Sequence, residues 1–272
     1  MGSHYVHGSA PTERARLGLM NAILNASCRR ELALEGRERV LDVGCGPARF
    51  AAELCDAHPG VSVLGIERDP AQRDSARAFA RPALEVRAGD AFDLPLSASE
   101  WGTFDVAWAR FVLEHVDDPL RVVRQMVRAV RPGGRVVLCD DDHDLLRLDP
   151  PAPAALRVWD AYQQTYREHG NDPLVGRRLP RLLHEAGARP ARATWVFFGS
   201  CAGAPDWRIV NDNWRGILEG AREQIERHLA PGEFDAGLAE HALWVERPDA
   251  SHWLPLAWAE ARVSTSTGTG MC

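Results

Sequence analysis

No two cysteines in the chain are spaced as Cys-x-x-Cys. The six that exist, Cys28, Cys45, Cys55, Cys139, Cys201 and Cys272, are scattered over 272 residues, a pattern that fits reduced thiols better than a disulfide framework or a zinc site. No apolar run approaches membrane-spanning length, and the N-terminus has no apolar core flanked by basic residues. Neither insertion nor export is therefore expected, and the cytoplasm is the expected compartment. A basic stripe is also missing: 32 basic residues are spread along the chain against 38 acids, for a formal charge of −6, which argues against nucleic acid as a partner. Asp140, Asp142 and Asp144 imitate the start of a calcium loop, but Leu145 stands where that loop needs glycine and Pro151 where it needs glutamate. With no His-Glu-x-x-His motif either, no metal is expected.

What is present starts with Arg39 to Phe50, a short buried strand that runs into a glycine turn and opens a helix. Gly44 and Gly46 let the main chain bend with no Cβ in the way, and the new helix begins with unpaired N–H groups. On its own this is any nucleotide-type turn. Ahead of it, Thr12 is placed to cap a helix carrying Leu17, Met20, Ile23 and Leu24 on one face, and Tyr5 and His7 sit on an N-terminal arm that can fold over a ligand mouth.

Downstream the pattern repeats. Strands are expected at Val61–Glu67, Leu84–Ala91, Phe104–Phe111 and Arg135–Cys139, alternating with helices through Phe50–Cys55, Pro70–Phe79 and Pro119–Val130. In the last helix Leu120, Val123, Met126, Val127 and Val130 are expected inward. Alternating strands and helices define an α/β sheet whose ligand lies at the carboxyl ends of the strands, where Gly44, Glu67, Asp90 and Arg110 fall. Glu67 ends the second strand, about where an acid accepts both hydroxyls of a ribose. A nicotinamide dinucleotide is one candidate ligand, but Arg49 occupies the third small position of Gly-x-Gly-x-x-Gly, and Asp42 would be a poor neighbour for a pyrophosphate. A ligand with a cationic amino acid end would welcome Asp42.

These stretches together resemble a known family. Val40-Leu41-Asp42-Val43-Gly44-Cys45-Gly46, Gly65-Ile66-Glu67, Gly89-Asp90-Ala91, Phe104-Asp105-Val106 through Glu114-His115, and Arg131-Pro132-Gly133-Gly134 look, in order, like the successive motifs of class I S-adenosylmethionine-dependent methyltransferases. Within that class they are similar to the ubiquinone/menaquinone-methyltransferase-like branch of small-molecule enzymes. Pro47-Ala48 departs from the further glycine that many members carry. The resemblance implies a Rossmann-like, seven-stranded, mostly parallel sheet with an antiparallel last strand, helices on both faces and helical insertions forming a cap. It implies S-adenosylmethionine as cofactor, with its methionine end against Asp42, Gly44 and Gly46, its ribose on Glu67, and its adenine beside Arg68, Asp90 and Ala91. Arg110 and Phe111 would line the sulfonium side, with Tyr5 on the arm.

The second half supplies the acceptor side. Helices are expected at Ala154–His169, with Leu156, Trp159, Tyr162 and Tyr166 at helical spacing, at Leu179–Ala186 closed by Gly187, and over most of Asp206–Leu229. Strands are expected at Ala193–Phe198 and Trp253–Val263. Seven of the nine tryptophans follow residue 150, a density that suits an apolar or aromatic acceptor, with two or three of them in the pocket. His115, Asp142 and His143 are the candidate catalytic residues, with Asp141 beside them. Asn171-Asp172-Pro173 and Arg177-Arg178 are candidates for holding a polar substrate group. The domain reading is an N-terminal arm and helix (1–37), a cofactor-binding core (38–149), substrate-side helices that complete the sheet (150–263) and a disordered tail (264–272). The expected activity is methylation of a small organic acceptor in specialised metabolism. A nicotinamide-dependent oxidoreductase, or a cofactor-binding protein that no longer transfers methyl, are the alternatives. The N-terminal helix offers a means of exchange in a homodimer.

Overall fold

The computed structural model describes residues 11–265, so Tyr5, His7 and nearly all of the expected tail lie outside the described residues. In the first half, α1 (Pro11–Leu32) precedes β1 (Arg39–Val43), α2 (Arg49–Ala57), β2 (Ser62–Glu67), α3 (Pro70–Ala76), β3 (Leu84–Ala88), β4 (Phe104–Arg110), α4 (Pro119–Ala129) and β5 (Val130–Asp140). The starts of α3 and α4 have the same local cause. Asp69 and Asp118 each accept a hydrogen bond from the main chain three residues on, at 2.8 and 3.0 Å, and a proline occupies the first helical turn. Thr12 lies inside α1 rather than ahead of it.

The second half runs β6 (Arg147–Asp149), α5 (Pro153–Glu168), α6 (Leu179–Glu185), β7 (Arg189–Phe197), β8 (Ser200–Cys201), α7 (Trp207–Gly220), α8 (Arg222–Ile225), α9 (Glu233–Val245), β9 (Ser251–Trp253) and β10 (Pro255–Arg262). The main sheet has the order β3-β2-β1-β4-β5-β10-β7. Its first five strands pair in parallel, and β10 pairs antiparallel with both neighbours. A small antiparallel sheet, β6-β9-β8, was not foreseen, and it claims Trp253, leaving β10 to start at Pro255.

Side chains alternate across the main sheet into two cores. One face sends Val40, Val63, Trp108 and Trp258 against α1, α2, α5 and α7. The other sends Leu41, Leu64, Ala107 and Leu138 against α4 and α6. Helices therefore cover both faces, as expected. The inward face of α4 differs from expectation: Val122, Val123, Met126 and Ala129 are buried, while Leu120 and Val127 sit at the margin. The sheet lies along a line rotated by part of a turn from the widest apolar stripe.

Helix α9 was also unforeseen, and a glycine explains it. A Cβ on Gly237 would stand 2.4 Å from Val158 Cγ2 and 2.8 Å from the Ala154 carbonyl oxygen, so only glycine lets α9 cross α5 this closely. Glu240 of α9 then accepts from the main-chain N–H groups of Ala154 and Ala155, at 2.6 and 2.9 Å, and closes the start of α5. Gly237→Ala adds about 1 kcal/mol of helix propensity, yet the forced separation of the two helices is expected to give a net loss of about 1–3 kcal/mol. Urea unfolding reads the difference, and a stabilised variant would contradict the close crossing.

Candidate active site

The carboxyl edge of β1 and β2 is drawn together by the main chain. Gly44 and Cys45 both donate to the Ile66 carbonyl, at 2.8 and 3.1 Å. Gly44 has a φ of +71°, and a Cβ there would come within 2.6 Å of Val112 Cγ2, beyond β4. Gly46, by contrast, has open space where a Cβ would stand. Its N–H donates to Glu67 Oε2 at 2.9 Å, and the Asp69 N–H donates to Oε1 at 2.8 Å. Both Glu67 oxygens are thus fixed before any ligand arrives. Burial pushes the Glu67 carboxyl up, partly offset by those N–H groups. Burial also pushes Asp42 up to about 7, against the pull of Arg110. Asp90 accepts from the Phe92 N–H at 2.9 Å. Asp42, Gly44, Gly46, Glu67, Arg68, Asp90, Ala91, Arg110 and Phe111 all line one cavity of about 570 Å³.

The same cavity continues past β4 and β5. Buried Asp140 accepts from Val112 N and Leu113 N, at 3.2 and 2.9 Å, and so fixes the turn that presents Glu114 and His115. Phe111 begins that turn at a φ of +55°, a strained conformation for a side chain of its size. His143 Nε2 lies 3.1 Å from Glu114 Oε2 and 3.5 Å from Asp141 Oδ2. Its ring stacks on Tyr162 and meets Trp159 and Tyr166 at centroid distances of 5.0 and 5.1 Å. Burial alone would lower its pKa, but the bonds to Asp141 and Glu114 outweigh burial and raise it to about 10. His143 is accordingly a cation at neutral pH. His115 stacks on Tyr166 at 5.5 Å and sits 3.4 Å from Glu114 Oε1. The Tyr162 and Tyr166 hydroxyls are 2.7 Å apart. Trp159 and Trp214, of the seven tryptophans in the second half, reach this wall, matching the expected two or three.

Asp142 does not join them. Arg177 clamps it through two bonds of 2.6 Å, and it is not among the residues lining the cavity. At the end of β5 it is Asp141 that faces inward and Asp142 that faces the turn through Arg177. Arg177 also holds Asp144, and Arg178 holds Asp172, so the arginines expected to bind substrate are committed to this wall instead. Glu114 was not singled out from sequence. Neither was the polar side of α1, where Arg110 donates to Asn21 and Asn25 at 2.7 and 3.0 Å and Arg16 to Asn213 of α7 at 3.1 Å. The available signal was Asn21 and Asn25 four residues apart beside Leu24 and Cys28 on a helix. Glu114, Asp141 and His143 each offer a donor atom within 4.8 Å of the others, a set with the chemistry to hold a cation, and the imidazolium already supplies it with a positive charge.

A parallel sheet with acids fixed at its carboxyl edge defines a nucleoside-binding α/β protein. Residues 16–192 match a family model described as a methyltransferase domain, and the chain belongs to the S-adenosylmethionine-dependent methyltransferases. It is 29% identical to 27-O-demethylrifamycin SV methyltransferase of Amycolatopsis mediterranei, over 93% of this chain and 89% of that one. It is 37% identical to an uncharacterised 37.1 kDa protein in transposon TN4556 of Streptomyces fradiae, over 76% of this chain, and spans 62% of that relative's length. Among solved structures, a Bacillus halodurans protein described as a methyltransferase shares the fold with a TM-score of 0.59 at 20% identity, covering 89% of this chain and 99% of that one. A geranyl diphosphate C-methyltransferase of Streptomyces coelicolor A3(2) does so with 0.51 at 14% identity, covering 92% and 79%. Among the described residues no helix is long and apolar enough to cross a membrane.

His143→Leu would leave Glu114 and Asp141 buried without their cation, and a stability loss of about 3–5 kcal/mol is expected. Because the folded-state pKa is raised, the His143 contribution is full below its unfolded value near 6.5 and is lost as pH rises through about 10. Denaturant titrations of both proteins from pH 6 to 10.5 should therefore converge at the alkaline end; a constant gap would contradict the charged state.

Proposed function

We propose that the chain transfers a methyl group from S-adenosylmethionine to a small, apolar or aromatic acceptor in natural-product metabolism. One observation carries this: the acid-lined pocket at the ends of β1, β2 and β3 and the ring-lined pocket under α5 and α7 are two halves of one cavity. The residues present suit the cofactor. Glu67, with both oxygens aligned by main-chain N–H groups, takes the ribose hydroxyls, and buried Asp42 faces the amino end. Asp90 and Ala91 meet the adenine, with Arg68 beside it, and Arg110 and Phe111 border the sulfonium. Residues 38–149 supply the cofactor side together with His115 and His143 at its border with the acceptor, 150–263 supply the rest of the acceptor side, and the inner side of α1 closes the wall between them. The relatives lend the substrate class some support, since they include the rifamycin enzyme and an O-methyltransferase of Aspergillus sclerotiorum, 31% identical over 58% of this chain.

When bound, S-adenosylmethionine supplies an electrophilic methyl on a sulfonium sulfur. What the chain must do is align an acceptor atom in line with that methyl and keep water out. The Trp159, Tyr162, Tyr166 and Trp214 rings do both. A proton acceptor matters only where the acceptor atom carries a proton that must leave. His143, already charged, is unsuited to that task and acts through its field. His115, facing the cavity over Tyr166, takes the role.

Isothermal titration with S-adenosylhomocysteine is the test. Below pH 7 the Asp42 carboxyl must lose its proton to pair with the ligand's amino group, so affinity is expected to fall by about tenfold per pH unit there and to level off above. Asp42→Asn should abolish the slope. Absence of binding at high micromolar concentration would remove the proposal. For an acceptor hydroxyl, His115→Gln is expected to lower kcat by about 100-fold or more with S-adenosylhomocysteine affinity unchanged.

A further inference from the structure

Resting on the proposed acceptor pocket, we infer that His252 determines acceptor specificity: its bare Nε2 accepts a hydrogen bond from a hydroxyl or N–H of the substrate, and Asn211 fixes it in that state. The inference follows a chain of donors and acceptors whose sense is set at one end. Asn211, on α7, places its side-chain nitrogen 2.8 Å from the Trp207 carbonyl oxygen. A carbonyl can only accept, so that atom is the amide nitrogen and the other terminus is Oδ1. Two imidazoles meet this oxygen: His241 through Nε2 at 3.1 Å and His252 through Nδ1 at 3.4 Å. Since Oδ1 offers only lone pairs, each of those ring nitrogens carries its proton and donates.

For His252 the consequence is specific. A neutral imidazole has one N–H, and here it is spent on Asn211. Burial lowers His241 to about 4 and His252 to about 3, so neither ring is charged at neutral pH. His252 is buried in β9 and pairs with Ser200 of β8, and the Phe198 N–H donates to the Leu254 carbonyl at 2.9 Å where the chain passes between the main sheet and the small one. It lines the cavity together with Phe198, Trp214 and Leu254. Among the described residues nothing donates to its Nε2, which is also not one of the sealed polar atoms of the interior. The acceptor half of the cavity therefore carries a single-lone-pair acceptor in an apolar patch. Such a patch rewards a substrate hydroxyl or N–H and rejects a carbonyl, an ether or an already methylated oxygen at the same point, because two lone pairs would then face each other without water.

Two naphthalenes of like shape test this: 1-naphthol, which has a donor, and 1-methoxynaphthalene, which has none. The full chain labelled with ¹⁵N-histidine is observed by long-range ¹⁵N–¹H correlation at pH 7, with and without S-adenosylhomocysteine. The expected result is one neutral Nδ1–H ring whose signals vanish in His252→Gln and whose Nε2 resonance moves upfield with 1-naphthol but not with 1-methoxynaphthalene. His241→Gln, which removes only the neighbouring ring, secures the assignment if His252→Gln fails to fold. In His252→Phe, 1-naphthol is expected to lose about tenfold in affinity and match the ether. An Nε2–H or charged ring at His252, or an Nε2 resonance that responds equally to both compounds or to neither, would overturn the inference. Because the ring state is also read without S-adenosylhomocysteine, failure of that ligand to bind would count against the methyltransferase proposal while leaving the histidine result to stand or fall on its own spectrum.

Discussion

Five carboxyl groups, those of Asp42, Glu67, Glu114, Asp140 and Asp141, crowd the carboxyl edge of the sheet, and the surrounding residues answer the repulsion among them. Each is answered differently. Main-chain N–H groups take up Glu67 and Asp140. A buried imidazolium lies between Glu114 and Asp141. Asp42, buried in β1, is met by the field of Arg110, and burial pushes its pKa up to about 7. These answers shape the backbone: Gly46 must turn its N–H toward Glu67, and the chain beyond Arg110 must fold back so that Val112 and Leu113 reach Asp140. The left-handed Phe111 is where that fold-back begins.

The two halves of the cavity follow from this division. Glu67, held by N–H groups, and Asp42, met only by the field of Arg110, both face the cavity, and their lone pairs suit the hydroxyls and amine of a nucleoside carrying an amino acid end. The His143 imidazolium offsets one of the two charges of Glu114 and Asp141, and burial pushes the Asp141 carboxyl up, so the aromatic rings of α5 close around a cluster of reduced charge. An electrophile placed between the halves would meet an acid-rich wall on one side and a ring-lined wall on the other. That is the environment an in-line methyl transfer needs.

The half of the cavity proposed for the cofactor was legible in the sequence because its signals are local: a strand, a glycine turn, an acid at a strand end, repeated at short spacing. Glu67 and Asp90 could be placed by counting. The half proposed for the acceptor depends on contacts that no local pattern carries. Asn211 and His252 lie 41 residues apart, and Glu114 meets His143 only because β4 and β5 are adjacent in the sheet. Asp141 and Asp142 show the limit most clearly. Both are acids just past β5, and the choice between them rests on Gly176, whose N–H bonds the Asp141 carbonyl at 2.8 Å and whose missing Cβ lets the segment carrying Arg177 close over Asp142. Helix α9 was hidden for a related reason: Gly237 weakens its pattern in sequence and is what permits its packing.

A crystal structure of the chain with S-adenosylhomocysteine tests the central claim most directly. The account predicts ribose hydroxyls on Glu67, the amino group at Asp42, the adenine beside Asp90 and Ala91, and the sulfur facing His115 and the Tyr166 ring. A nucleoside lying away from Glu67, or a sulfur turned from the ring-lined half, would contradict it.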